Sequence, residues 1–399
     1  MPTLKLPPLS LYIHFPWCVR KCPYCDFNSH EFRDLPEAEY VDALIEDLVA
    51  DKPFIQAREI QSIFMGGGTP SLFSAGSMEK LLQNISQHAT IAKDAEITLE
   101  ANPGTAEAEK FKGFRRAGIN RLSIGVQSFN NAMLEKLQRI HSAEEAIRAF
   151  EIARRAGFDN INIDLMHGLS EQTHEMAFED LKTAFQLTPE HISWYQLTIE
   201  PNTAYYNNTP PLPSDDEIES IQISGLSLLE EYGYQRYEIS AYHQSGKQSA
   251  HNLNYWTFGD YLGIGAGAHS KITLPELGEI HRINKTRQPN QYLEKNSLEK
   301  KSPEKNSLGK KPLDQQNAFA ALDKIISRAD LPLEFMMNAL RLKDGLPATL
   351  FMERTGLDLS DIEKTLAELI HLGLLSADQS ILKTTPQGYD FLNEVLTHF

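Results

Sequence analysis

The sequence predicts an α/β protein: a partial (β/α)6-type barrel followed by a mostly helical, winged-helix-like C-terminal unit. Three observations carry this expectation. From residue 9 to about 270, short apolar β-like runs alternate with amphipathic helical stretches. The repeat count is six or so, which suits a partial barrel better than the closed eight-unit one. The residues able to do chemistry fall at the ends of the predicted strands, where α/β folds place their sites.

In chain order, Leu11–Phe15 reads as a strand and Pro36–Ala50 as a helix. Ile60–Met65 and Ser77–His88 form the next pair, then Glu96–Glu100 and Thr105–Ala117. Arg121–Gly125 is followed by Ala143–Ala156, and Asn160–Met166 by Glu171–Leu187. His191–Thr198 and Asp215–Tyr232 complete the sixth unit, and Tyr237–Ser240 is one further strand. Residues 294–311, EKNSLEKKSPEKNSLGKK, repeat the run Glu294–Leu298 at Glu304–Leu308. So polar and simple a stretch cannot bury a core and reads as a flexible insert. The expected division is therefore a core domain 1–280, a linker 281–317 and an accessory domain 318–399. After Ala318 helices resume: Pro347–Glu353, Ser360–Ile370 and Gln387–Leu396, with a small hairpin at Gly373–Leu375 and Ile381–Leu382. No marked basic helix accompanies this wing, which favours a packing or lid role over DNA binding.

The chain has 399 residues, 41% of them hydrophobic, and a formal charge of −16. That charge argues against a general nucleic-acid partner, which a basic footprint would announce. No apolar run approaches the roughly 20 residues of a transmembrane helix. Met1–Ser10 lacks a signal-peptide core, so a cytoplasmic location is expected.

The three cysteines, Cys18, Cys22 and Cys25, lie within eight residues as C-x3-C-x2-C. An odd, crowded set is a poor disulfide framework and a good metal site. Iron–sulfur clusters are normally held by four thiolates. Three leave one iron open to a ligand that is not protein. A zinc site completed by His14 or His30 is the competing reading.

Tyr12-Ile13-His14-Phe15-Pro16-Trp17-Cys18 and the cysteines after it resemble the coproporphyrinogen III oxidase-like family of the radical-SAM superfamily. The resemblance covers nearly the whole chain except the lysine-rich insert. It implies a radical-SAM barrel with a HemN-like C-terminal domain. It also implies a [4Fe–4S] cluster on Cys18, Cys22 and Cys25, whose open iron chelates S-adenosylmethionine for reductive cleavage. An electron donor of flavodoxin or ferredoxin type is implied as well.

Gly66-Gly67-Gly68-Thr69-Pro70 follows a strand and on its own could be a plain tight turn. Glycines also allow a close backbone approach. The resemblance assigns Gly67, Gly68 and Thr69 to S-adenosylmethionine. It also assigns Glu100, Gln127, Arg139 and Asp164, with Tyr12 and Tyr24 beside the cluster. Each has a plainer reading: Glu100 as a capping or surface acid, Arg139 as a surface ion-pair partner, the tyrosines as core packing. A carboxylate such as Asp164 at a strand's C-terminal end suits ribose hydroxyls. Leu262–Ala268, LGIGAGA, reads as a loop near the same site, since no βαβ unit with a downstream acid follows it.

Two functions compete. One is the oxidative decarboxylation of coproporphyrinogen III. The other is heme carriage to acceptor proteins such as respiratory hemoproteins, as in the HemW branch of the family. Three features favour carriage. Phe27 stands where the oxidases have a fourth cysteine. The oxidases' N-terminal extension has no counterpart before Cys18. His251-Asn252-Leu253-Asn254-Tyr255 matches the HNxxY motif associated with heme in the HemW branch, which implies a heme role for His251, Asn252 and Tyr255. Imidazole is a common axial ligand of heme iron and tyrosinate a rarer one. A loop histidine satisfying backbone groups is the plain alternative.

Overall fold

The computed structural model describes residues 4–105, 108–299 and 317–399. Six βα units appear in chain order: β1 (Leu9–Phe15) and α1 (Glu37–Ile55), β2 (Ile60–Gly67) and α2 (Ala75–His88), β3 (Ile91–Ala101) and α3 (Ala108–Ala117). They continue with β4 (Arg121–Gln127) and α4 (Ala143–Arg155), β5 (Ile161–His167) and α5 (His174–Leu187), β6 (His191–Gln196) and α6 (Asp215–Glu231). The six strands pair in parallel in that order. Helix starts follow from side-chain caps: Ser74, Thr173 and the capping boxes Ser142/Glu145 and Ser214/Glu217.

The alternation along each strand decides which face meets the helices. In β1, Leu9, Leu11, Ile13 and Phe15 are buried in the main hydrophobic core, as are Ile63 and Met65 of β2. Leu122, Ile124, Ile161, Ile163, Ile192 and Trp194 continue that core. Many residues between them are polar and hydrogen-bond to their neighbours on the inner face, beside the ring of Phe64. Ser10 and Ser62 hydroxyls lie 2.7 Å apart, and Ser123 Oγ donates to Asp164 Oδ2 at 3.1 Å. Asn162 Nδ2 donates to Asp164 Oδ1 at 2.7 Å. The barrel thus has an apolar outer wall and a hydrogen-bonded interior.

The sheet extends past both ends of this parallel set, to twelve strands among the described residues. On the β6 side lie β7 (Gln235–Arg236) and β8 (Ala241–His243), β8 pairing antiparallel to β6. The expected strand Tyr237–Ser240 is instead the turn between them. Arg236 donates to the carbonyls of Glu238 and Ile239, and Ser240 N to Glu238 Oε1, so these backbone groups are satisfied locally rather than in a ladder. The short helix α7 (Ala250–Trp256) follows, and β9 (Asp260–Ile264) pairs parallel to β1. An antiparallel meander completes the sheet: β10 (His269–Leu274), β11 (Glu279–Lys285) and β12 (Ala320–Ile325).

The glycine-rich run expected as a loop begins inside strand β9, with Leu262, Gly263 and Ile264, and only residues 265–268 lie beyond it. Gly263 is there for close packing, because a Cβ would collide with the His269 backbone. The boundary drawn at 280 falls inside β11, and β12, which begins after the one drawn at 318, belongs to the same sheet. The chain after Ala318 resumes as that strand and only then as helices. Within the expected linker, α8 (Pro289–Glu299) is helical, while most of the lysine-rich repeat lies outside the described residues.

The two ends of that stretch are tied down. Lys285 Nζ contacts Asp47 Oδ1 and Asp51 Oδ2 at 2.6 Å each, all fully buried. Tyr292 OH donates to Asp47 Oδ2 (2.7 Å) and Asn317 Nδ2 to Asp47 Oδ1 (3.0 Å). Beyond β12 the C-terminal unit has its own core of Phe335, Met336, Phe351, Leu369 and Val395. Helices Leu331–Ala339, Thr349–Thr355 and Glu363–His371 pack there, with a two-stranded pairing of Leu346–Pro347 with Ile381–Leu382. No helix among the described residues is long and apolar enough to cross a membrane.

Candidate cofactor site

The cysteine loop leaves β1 and is pinned at both ends. Trp17–Cys18 pairs in parallel with His30–Glu31. Gly68 N donates to Phe15 O (2.7 Å) and Thr69 N to Trp17 O (2.8 Å), which seats the glycine run beneath the loop. Gly68 has to be glycine: a Cβ would stand 2.6 Å from the carbonyl oxygens of both Phe15 and Trp17. Lys21 Nζ donates to the carbonyls of Phe27 (3.0 Å) and Ser29 (3.3 Å), closing the loop on itself. Asn28 Nδ2 reaches across to the carbonyls of Ala266 and Arg287, both at 2.9 Å.

All three thiols are free, half-buried and open on one cavity of about 330 Å3. Thr69 Oγ1 lies 3.4 Å from Cys18 Sγ, Arg139 Nη1 3.3 Å from Cys22 Sγ, and Ser29 Oγ 3.6 Å from Cys25 Sγ. Burial pushes the Cys18 thiol up to about 11, with Thr69 opposing, and raises the Cys25 thiol as well. Without metal, Cys18 and Cys25 are protonated at neutral pH, and ligation must release protons. Among the described residues no three such side chains converge to hold a single metal ion. A cubane, ligated at three separate corners, does not require that convergence.

The cavity walls gather most of the other expected residues. Gly67, Gly68, Thr69, Glu100, Gln127, Arg139, Asp164 and Tyr24 all line it. Gln127 reaches inward because a bulge between Gly125 and Gln127 re-aims it, at φ +74°. Tyr195 OH then donates to Gln127 Oε1 at 2.7 Å. Tyr12 is the exception: it does not line the cavity but lies behind it, its hydroxyl 2.9 Å from His14 Nδ1. Ser123, Ser193 and Tyr195 line the cavity and went unread in the sequence, although each is an inward position of an alternating strand.

The electrostatics fit a zwitterion carrying an extra positive charge. Glu100 accepts from Gly67 N (3.1 Å), yet burial, then the Asp164 carboxylate, pushes it up to about 8. Asp164 is raised by burial against hydrogen bonds from Asn162, Ser193 and Ser123. Among the described residues no cation is paired with Glu100. An ammonium and a sulfonium would supply the missing positive charge. Arg139 Nη2 donates to Gly125 O (2.8 Å), but its Nε is buried without a partner among the described residues. That orphan donor suits a ligand oxygen. The thiols, glycine edge, two under-compensated carboxylates and buried arginine therefore fit a cluster together with S-adenosylmethionine.

The HNxxY residues lie elsewhere, on α7, which packs against β1, β2 and β9. His251 is 7% exposed, stacked on Phe64, edge-on to Tyr255 at 4.7 Å and beside Tyr12. Burial, then Arg121, lowers it to about 3, so it is neutral. Its backbone N–H donates to Glu96 Oε1 at 3.2 Å. Asn252 Nδ2 donates to Tyr237 OH (3.0 Å), which meets His191 Nε2 (3.0 Å). His191 Nδ1 meets Asn162 Oδ1 at 2.6 Å. His251, Asn252 and Tyr255 thus help fill the lumen and do not reach the cysteine cavity.

Residues 12–181 match the Radical SAM superfamily and residues 326–391 the HemN C-terminal domain. The chain is 48% identical to a Haemophilus influenzae protein named heme chaperone HemW, covering 99% of this chain and 98% of that one. It is 47% identical to the Escherichia coli protein of the same name, covering 99% of each. Among solved structures, the Escherichia coli coproporphyrinogen III oxidase HemN superposes with a TM-score of 0.79 over 98% of this chain and 90% of that one. At 24% identity that likeness speaks for the fold alone.

Proposed function

Because the chain belongs to the radical SAM superfamily and, within it, to the HemW family, we propose that it is a heme chaperone that binds heme and delivers it to acceptor hemoproteins. Superfamily membership implies a [4Fe–4S] cluster and S-adenosylmethionine. Cys18, Cys22 and Cys25 hold the cluster. Glu100 takes the ammonium of S-adenosylmethionine, Asp164 a ribose hydroxyl, and Gly67, Gly68, Thr69, Gln127, Arg139 and Tyr24 orient it. Tyr12 acts from behind the wall. When loaded, the cluster supplies one-electron reduction of the sulfonium. The chain's own part is to keep the thiols together, exclude water and present unpaired charge where the ligand is cationic.

The observation that carries this reading is near-half identity, over whole chain lengths, to two proteins named heme chaperones. Phe27 agrees with it, offering an exposed ring rather than a thiol at the fourth-cysteine position. A flavodoxin or ferredoxin type donor and respiratory hemoproteins as acceptors belong to the same proposal. A heme role for His251, Asn252 and Tyr255 requires α7 to leave the lumen.

The test is direct. Anaerobically reconstituted protein is expected to bind heme stoichiometrically and to transfer it to an apo-hemoprotein. With coproporphyrinogen III, S-adenosylmethionine and reductant it is expected to form no protoporphyrinogen. That product at enzymatic turnover would overturn the proposal in favour of the oxidase.

A further inference from the structure

Imidazole is a common axial ligand of heme iron, provided that a large planar molecule can approach it. Seven of the 13 histidines are buried, His251 among them. Of the other six, His88 ends α2, so it lies at the far end of the barrel from the cysteines. His174 packs on Phe178 with ring centroids 4.2 Å apart. His371 and His398 belong to the C-terminal unit, His398 lying 3.9 Å from Glu368. His30 and His269 remain, and both stand on the rim that carries the cysteines.

Asn28 links the segments that carry these two. His30 Nε2 meets Asn28 Oδ1 at 3.3 Å. The Asn28 amide is bonded to the carbonyls of Ala266, in the turn that leads into His269, and of Arg287, just beyond β11. His269 opens β10, is exposed, and its ring makes no hydrogen bond among the described residues. His30 is half-buried with Nδ1 uncommitted among the described residues, and Arg287 is exposed. Partial desolvation of the rings, then neighbouring cations that include Arg287 in both cases, lower the pKa of both imidazoles and favour the neutral form, which ligates iron. The same rim carries Phe27, an aromatic ring 61% exposed next to Asn28. So much exposed aromatic surface beside two accessible imidazoles and an exposed guanidinium matches the three chemistries of heme: an apolar face, a metal and carboxylates.

We propose that heme is received on this rim, its iron on His269, its other axial position open to His30, its face on Phe27 and a propionate on Arg287. The proposal rests on the heme-chaperone reading and places the cargo beside the cysteine loop while α7 stays packed in the barrel.

The test titrates cluster-loaded protein with hemin and follows difference absorption and magnetic circular dichroism. His269→Ala is expected to weaken binding at least on the order of tenfold, as loss of a metal's supporting ligands does. His30→Ala is expected to turn a low-spin ferric signature high-spin, and R287E to raise Kd without changing the spin state. Unchanged iron content and S-adenosylmethionine binding show that the variants fold. His251→Phe is expected to bind heme as the parent does. Parent-like spectra and affinity in His269→Ala, or loss only in His251→Phe, would overturn the rim site while leaving the chaperone reading standing. A parent protein that binds no heme would overturn both.

Discussion

The imidazole of His251 lies on the ring of Phe64, centroids 4.2 Å apart and planes 16° from parallel. Histidine in that position does the work of a core aromatic. Its Nδ1 is buried without a hydrogen-bond partner among the described residues, as are Thr98 Oγ1 and Arg121 Nε nearby.

His251→Ala is accordingly expected to destabilise heme-free protein by about 2 kcal/mol through lost stacking and a new cavity. Urea melts of the heme-free form measure it. A change within error would mean that α7 does not rest in the barrel in solution.

Glu100 sets a pH dependence whose sign is unusual for an acid. Its carboxyl titrates near 8 when folded against 4.5 ordinarily, so between those values the folded state binds more protons than the unfolded one. Stability of the ligand-free protein therefore falls as pH rises through that window. Glu100→Gln is expected to raise the melting temperature at pH 8 and above, by the equivalent of a few kcal/mol at most, and hardly at all at pH 5. The same variant is expected to bind S-adenosylmethionine on the order of tenfold more weakly, having lost a charge-assisted partner. Stabilisation that is equal at both pH values would show that the carboxyl is not held up by burial.

Gly68→Ala is expected to reduce the iron retained after anaerobic reconstitution, because the added methyl meets two carbonyl oxygens of the cysteine strand. Gly76→Ala is the control: its nearest neighbour would be Ser74 Oγ at 3.9 Å, and it lies within a helix, where alanine is the better residue. Iron and sulfide analysis of the pair decides whether close approach is the reason for the glycine.

Lys285→Met leaves Asp47 and Asp51 buried without their cation. It is expected to cost about 3–5 kcal/mol. Adding Asp47→Asn and Asp51→Asn is expected to recover a large part, since the penalty belongs to the stranded charges. Denaturant midpoints of the single and triple variants check this, and an equally unstable triple variant would point to packing instead.

Legibility in the sequence followed physical lines. Strands β1 to β6 were readable because Leu11, Ile13, Ile63, Ile124 and Ile163 recur at spacing two against the helices. Strand β9 was not, since Gly263 and the glycines after it read as a loop, although close contact with β10 is what demands Gly263. Strand β12 escaped because four of its six residues are exposed at the sheet edge, which leaves no apolar alternation to read. Gly67, Gly68, Thr69, Glu100, Gln127, Arg139 and Asp164 stand far apart in the sequence, and only the folded strands bring them to one cavity. Ser193, Tyr195, Asn162 and His191 are visible only once the interior of the barrel is seen to be polar. The burial of His251 was beyond a linear reading, because it depends on α7 folding back over Tyr12 and Phe64.

The clamp made by Lys285, Asp47, Tyr292 and Asn317 has a practical side. The chain departs through α8, whose Tyr292 is bonded to Asp47, and returns at Asn317, bonded to the same carboxylate. Exit and re-entry share one anchor, so the length of what runs between them exerts little leverage on the barrel. Asp47 therefore works as a latch for both sides at once, and loss of its carboxylate would loosen α8 and Asn317 together from α1.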